Sequence, residues 1–163
     1  MKELYLIRHA KSDWSQEKSD FERGLNKRGN NDAPLMGEVL NSLGVMPDLI
    51  ISSPAKRAIL TANIISQKVG YEKDKIQKEE SLYLASEATF YKYINNIDDK
   101  HNKVFIFSHN PGITEFAESL TDTFIGNIPT TGICHILLDV DSWENIREGD
   151  GKLLSFDFPK NHK

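Results

Sequence analysis

The sequence holds one cysteine, Cys134, in 163 residues. No internal disulfide can form, and the apolar run around Cys134 marks it as a small buried side chain with no catalytic role. No stretch approaches the ~20 uninterrupted apolar residues of a membrane span. The opening residues, Met1 to Arg8, carry no cleavable leader pattern. These absences predict a soluble, unexported protein of the cytoplasm. A surplus of positive charge is also lacking: 20 Lys and Arg against 24 Asp and Glu give a formal net charge of -4. General nucleic-acid binders spread positive charge over a whole face, so this balance argues against that class. Any anion site must be local. The basic end, Lys160 to Lys163, reads as a solvated terminus. No repeat, low-complexity tract or linker divides the chain. With 39% hydrophobic residues it can build one core, and residues 1–163 are expected to form a single domain, monomeric or weakly dimeric.

What is present is an alternation of short apolar runs with helical patterns. The runs are Leu4 to Arg8, Asp48 to Ser52, Val104 to Ser108, Cys134 to Val140 and Leu153 to Phe158. The first three are continuous, as strands covered on both faces should be. Met36, Val39, Leu40 and Leu43 repeat at helical spacing and stop at Gly44, with Pro34 expected to kink or restart that helix near Asp32. A second stripe, Ala58, Ala62, Ile65 and Val69, has Ser53 as its predicted N-cap, Pro54 at its first position and Gly70 at its end. Phe90, Ile94 and Ile97 follow Ser86 as a third stripe, and Ile113, Phe116, Ala117 and Leu120 follow Asn110 and Pro111 as a fourth. The predicted architecture is a three-layer α/β domain with a mostly parallel central sheet, helices on both faces and an antiparallel edge. That edge is expected to be a hairpin whose short loop contains Asp150 and Gly151.

In such a sheet, ligands bind at the carboxyl ends of the strands. The first strand ends in Arg8 and His9, the second in Ser52, Ser53 and Pro54 with Arg57 one turn on, and the third in Ser108, His109, Asn110 and Pro111. Singly, each has a plain structural explanation: a surface ion pair for an arginine, a hydrogen-bonded core residue for a histidine. Together they would repel one another unless an anion lay among them. Arginine's planar fork matches phosphate oxygens, and helix N-termini opening after Ser53 and Asn110 favour the same charge. A carboxylate or sulfate would answer the charge but would not explain a histidine beside each clamp. A metal is disfavoured because Arg8 adjoins His9 and no closely spaced His, Asp or Glu set accompanies it. No cofactor is implied.

These motifs resemble a known family. Leu6, Ile7, Arg8 and His9, then Ser52, Ser53, Pro54, Arg57, Ala58, Thr61 and Ala62, then Ser108, His109, Asn110 and Pro111 are similar to the histidine phosphatase (phosphoglycerate mutase-like) superfamily. Ala10, Lys11 and Ser12, with Arg23, Gly24, Leu25, Asn26, Lys27, Arg28 and Gly29, look like its SixA-type phosphohistidine phosphatases. Two positions depart from the family pattern: Ala10 replaces a glycine after the first histidine, and Ser108 a frequent glycine before the second. The resemblance implies a metal-independent hydrolase in which His9 accepts the phosphoryl group while Arg8, Arg57 and His109 hold its oxygens. Arg23 and Lys11 are candidates for contacting the rest of the substrate. Trp14 and Phe21 could line the entrance or anchor the loop. Larger relatives take a general acid from an insertion that this chain lacks; Glu80 is the nearest candidate, with Asp13 and Asp20 behind it. A missing acid favours a phosphohistidine protein over a small phosphate ester, because an imidazole is a good leaving group. The alternatives are a broad small-molecule phosphomonoesterase and a non-catalytic phosphate-binding module. Nucleic acid and membrane are not expected partners. His101, His135 and His162 lack a clamp context and are expected to be structural.

Overall fold

The computed structural model describes residues Met1–Lys163. Six strands form one sheet: β1 (Lys2–Arg8), β2 (Leu49–Ser52), β3 (Gln77–Lys78), β4 (Lys103–Ser108), β5 (Ile133–Leu138) and β6 (Gly151–Asp157), in the spatial order β3-β2-β4-β1-β5-β6. The first four in that order run parallel, while β5 is antiparallel to both β1 and β6. Four helices complete the fold: α1 (Lys27–Ser42), α2 (Lys56–Val69), α3 (Glu87–Ile94) and α4 (Gly112–Thr121).

The three predicted layers are present, and strand alternation builds them. Side chains of β1 alternate faces, so Tyr5 and Ile7 join Met36, Leu40, Ala62 and Ile65 of α1 and α2 in one apolar cluster. Leu4 and Leu6 join Phe90, Ile94, Phe116 and Leu120 of α3 and α4 in the other. Because both faces are covered, the central strands read as unbroken apolar runs. At the amino end of β1, Lys2 is buried, and its ammonium donates to the carbonyls of Asp99 and His101 and to Asn102 Oδ1.

Four details differ from expectation. Helix α1 runs through Pro34 without a break; the carbonyl that Pro34 leaves without a helical donor belongs to exposed Asn30, where solvent can serve it. Helix α2 starts at Lys56 behind Ala55, not at Ser53 and Pro54; the Ser53 oxygen accepts from Ala55 N–H at 3.3 Å, just ahead of the helix, and lies 2.7 Å from His109 Nε2. The segment between β5 and β6 is no tight hairpin turn. It spans residues 139–150 and sends Trp143 and Ile146 into the core, where the Trp143 indole N–H donates to His101 O at 2.7 Å; Gly151 opens β6 instead of lying in the loop. The short strand β3 at the edge was not foreseen.

Candidate active site

β1 and β4 are parallel neighbours in a register that sets Arg8 opposite Ser108. The residues that follow, His9 and His109, therefore leave the sheet side by side, and His9 N–H donates back to Ser108 O at 3.2 Å. Their ring centroids are 5.1 Å apart. His9 Nδ1 lies 2.8 Å from the Ala10 carbonyl. A carbonyl can only accept, so Nδ1 carries the proton and the lone pair sits on Nε2. Ala10 is itself fixed, since its N–H donates to Thr61 Oγ1 at 2.9 Å, and that hydroxyl donates to Arg57 O at 2.7 Å. The alanine methyl is fully buried there. Ser108, the other departure from the family pattern, donates its hydroxyl to Leu82 O at 2.7 Å and ties the 80–85 segment to β4.

Around the two imidazoles stand the arginines. Arg8 Nη1 donates to Ile128 O at 3.0 Å, and its Nε is buried without a protein acceptor. His109 Nε2 is 2.7 Å from Ser53 Oγ, while its Nδ1 is buried without a partner. Thr131 backs the site: its N–H reaches both Arg8 O and His9 O at 3.1 Å, and its buried hydroxyl has no partner. It does so at φ 60°, a left-handed conformation rare for a β-branched residue and characteristic of functional sites. Arg8 Nε, His109 Nδ1 and Thr131 Oγ1 are thus buried polar atoms whose hydrogen-bonding capacity no protein group fills.

The loop 13–24 closes over this end of the sheet. Its base is pinned by the Ser12–Leu25 bridge, and Phe21 O accepts from Lys56 N–H at 3.0 Å. Its Asp20 carboxylate accepts from Arg57 Nη2 at 3.0 Å, from Arg23 Nη1 at 2.8 Å and from the Tyr83 hydroxyl, and Asp20 O takes Arg57 Nη1. Tyr83 in turn sets the edge of its ring against His109, centroids 5.6 Å apart.

Charge and burial explain the protonation states. Burial first, then Arg57 and Arg8, push His9 down to about 4, against the rise its Ala10 bond would give. Burial first, then His9 and Arg57, push His109 down to about 3. Burial and the nearby Arg57 also lower Arg8. Both rings are neutral at physiological pH. Partial burial alone would raise the Asp20 carboxyl, but the bonds from Tyr83, Arg23 and Arg57 hold it well below the carboxylate range.

The structure thus brings together Arg8, His9, Arg57 and His109, and Arg23 with them through Asp20. The Lys11 carbonyl accepts from Asn26 N–H at 3.0 Å, while its ammonium forms no hydrogen bond or ion pair with the protein. Glu80 is exposed and unpaired on the 3-10 turn Glu80–Leu82. Asp13 turns to Ser15. Trp14 is exposed but stacks on the Arg23 guanidinium at 3.5 Å, and Phe21 sets its ring edge-on to Tyr83. His135 pairs with Glu3, His162 with Asp157, and Cys134 is buried. No group of three His, Cys, Asp or Glu side chains is arranged to hold a metal ion. Sequence reasoning did not pick out Tyr83, Thr131 or the cradle role of Thr61; the one available signal was that Thr61 lies one helical turn after Arg57.

Comparison with known proteins fits this arrangement. An uncharacterized protein of Mycobacterium leprae is 30% identical, covering 94% of this chain and all of its own. Phosphoglycerate mutase 1 of Saccharomyces cerevisiae is 39% identical over 72 residues, 42% of this chain. Among solved structures, the protein histidine phosphatase SixA complexed with tungstate superposes with a TM-score of 0.85 at 20% identity, covering 99% of each chain. A putative phosphohistidine phosphatase SixA from Agrobacterium tumefaciens gives 0.80 at 25% identity, covering 97% of this chain and 98% of its own. The family model for the histidine phosphatase superfamily (branch 1) matches residues 4–83. That span opens inside β1 and closes on Tyr83, taking in the first histidine, all three site arginines and the aspartate between them. By this match and these whole-chain likenesses, the chain belongs to the histidine phosphatase superfamily and is a phosphatase of SixA-type architecture.

Proposed function

We propose that this phosphatase removes phosphoryl groups from phosphohistidine in a protein, through a covalent intermediate on His9. The observation that carries the reading is the state of His9: Nδ1 is spent on the Ala10 carbonyl, and Nε2 forms no hydrogen bond in a ring kept neutral among arginines. Nε2 attacks phosphorus in line with the leaving group. The N–P bond to His9 forms as the bond from phosphorus to the leaving atom breaks, and the electron pair goes with that atom. Arg8, Arg57 and His109 hold the phosphoryl oxygens as charge shifts among them. Water then attacks phosphorus, the N–P bond breaks and orthophosphate leaves.

The substrate class is argued from the leaving group. An alkoxide needs a proton as it departs, yet Asp20 is held ionised and Glu80 is exposed and engaged with nothing. An imidazole departs without a strong acid and takes its proton from solvent. This supports phosphohistidine over a sugar phosphate, and a phosphorylated cytoplasmic protein as the partner. None of the proposed steps calls for a metal.

The test is incubation of the protein and of His9→Ala, in the presence of a chelator, with a labelled phosphohistidine peptide and with a panel of phosphate esters. We expect acid-labile label on His9, faster turnover of the peptide than of any ester, and a loss of at least about 10^4-fold in His9→Ala, the scale for deleting a nucleophile. Faster ester turnover would reverse the substrate assignment. A sample that turns over with no label on His9 would end the covalent route. Full biological activity of His9→Ala would favour the binding module.

A further inference from the structure

Asp20 lies on the loop 13–24, far in sequence from the groups it holds. Both terminal nitrogens of Arg57 are committed to it, one to its carboxylate and one to its carbonyl. The same carboxylate takes Arg23 and Tyr83, so three donors converge on two oxygens. Three donors around two carboxylate oxygens is the pattern these groups would offer a phosphoryl group. The Asp20 side chain is 45% exposed while that of Arg57 is 5% exposed. The anion is therefore the member of the pair with room to swing away, and the guanidinium stays where it is.

Resting on the phosphatase reading of the site, we propose that Asp20 is a positioning residue that acts as a resident counter-ion: its carboxylate holds one arm of each fork, Arg57 Nη2 and Arg23 Nη1, until a phosphoryl group displaces it, and returns when orthophosphate leaves. Product release gives such a device its purpose. A cradle with Arg8, Arg57 and Arg23 would bind a dianionic product about as firmly as the substrate, and binding both alike does not speed turnover. A carboxylate that competes for the same nitrogens weakens both ground states and shortens the stay of product. It also keeps two buried guanidinium groups ordered between turnovers, so an arriving phosphoryl group meets donors already in place.

The experiment is calorimetric titration of the whole protein, Asp20→Asn and Asp20→Glu with orthophosphate, together with KM and kcat for a phosphate ester. Removing one unit charge a few ångströms from a bound dianion should tighten orthophosphate by about tenfold in a partly solvated site. In Asp20→Asn the dissociation constant, the product inhibition constant and KM should all fall, while kcat does not rise. Asp20→Glu, which keeps the charge, should stay near the parent value. Tyr83→Phe removes one of the three donors and leaves the Asp20 charge in place, so it should not tighten orthophosphate. Asp20→Ala, which removes the charge without leaving an amide on the guanidinium groups, serves as an independent route if Asp20→Asn folds poorly by near-ultraviolet circular dichroism. Orthophosphate binding that is unchanged or weaker in the neutral variants would overturn the proposal and leave Asp20 as plain scaffolding. A parent protein that hydrolyses neither the phosphate ester nor a phosphohistidine peptide would overturn the phosphatase reading itself, and this inference with it.

Discussion

Thr131 carries two oddities at once: a β-branched side chain at positive φ, and a buried hydroxyl with no partner. A left-handed threonine is strained by an amount of order 1–3 kcal/mol, which persists only where the surroundings enforce it. Here they do, because its N–H is shared between the carbonyls of Arg8 and His9 and so fixes the turn that presents the nucleophile. The strain is therefore tied to the backbone, and the hydroxyl is free for another purpose. Thr131→Val separates the two. It keeps the shape and the conformational strain, and it replaces an unsatisfied buried hydroxyl with a methyl, which is nearly neutral or stabilising. We expect a melting temperature no lower than the parent's and little change in KM, because the Thr131 side chain is fully buried. A several-fold rise in KM would mean that the hydroxyl meets a substrate oxygen once substrate is bound.

Among the elements, α1 has two glycines with no room for a Cβ, Gly29 and Gly37, and Gly29 is the tighter. A Cβ on Gly29 would lie 2.2 Å from the Lys11 carbonyl oxygen, the same oxygen that accepts from Asn26 N–H. Glycine to alanine inside a helix usually stabilises by about 0.5–1 kcal/mol. At Gly29 the sign should reverse, because backbone on the far side cannot give way. Gly29→Ala should cost at least about 2 kcal/mol and lower the melting temperature by about 4–8 °C. A gain in stability would show that the helix start can slide off the segment after β1. Legibility divides in the same way. The runs in β1, β2 and β4 could be read because covered parallel strands are apolar throughout, and the helical stripes because they repeat every third or fourth residue. β3 was illegible since two residues carry no period. The start of α2 lies two residues beyond the expected one because Ser53 accepts from Ala55 N–H ahead of the helix and also meets a histidine 56 positions later, which no local pattern reports. Trp143 and Ile146 fill the core from irregular backbone, which no periodicity reports. The four central site residues were legible because strand ends can be located; the Asp20 hub was not, since only the folded loop shows three donors meeting on one carboxylate.

Taken as a whole, the molecule hides two histidines in uncharged form, and this sets its response to acid. The unfolded chain titrates them near 6.5, the folded chain only near about 4 for His9 and about 3 for His109. Between those values the unfolded state binds protons that the folded state refuses, so stability falls as pH drops from about 6.5 towards 4. Melting curves at steps from pH 7.5 to 4.5 should show this decline, and it should shrink in His109→Gln. A flat profile would mean that neither ring is sheltered. The register of β1 against β4 carries a last consequence. The spacing of the two imidazoles is set by hydrogen bonds between stretches about a hundred positions apart, so no fragment or half-folded intermediate can assemble the reacting pair. Catalysis is then a gauge of complete folding: across a urea titration, residual turnover and tertiary circular dichroism should trace a single curve, and activity that outlasts the spectroscopic signal would mean that the pair can be built from less than the whole sheet.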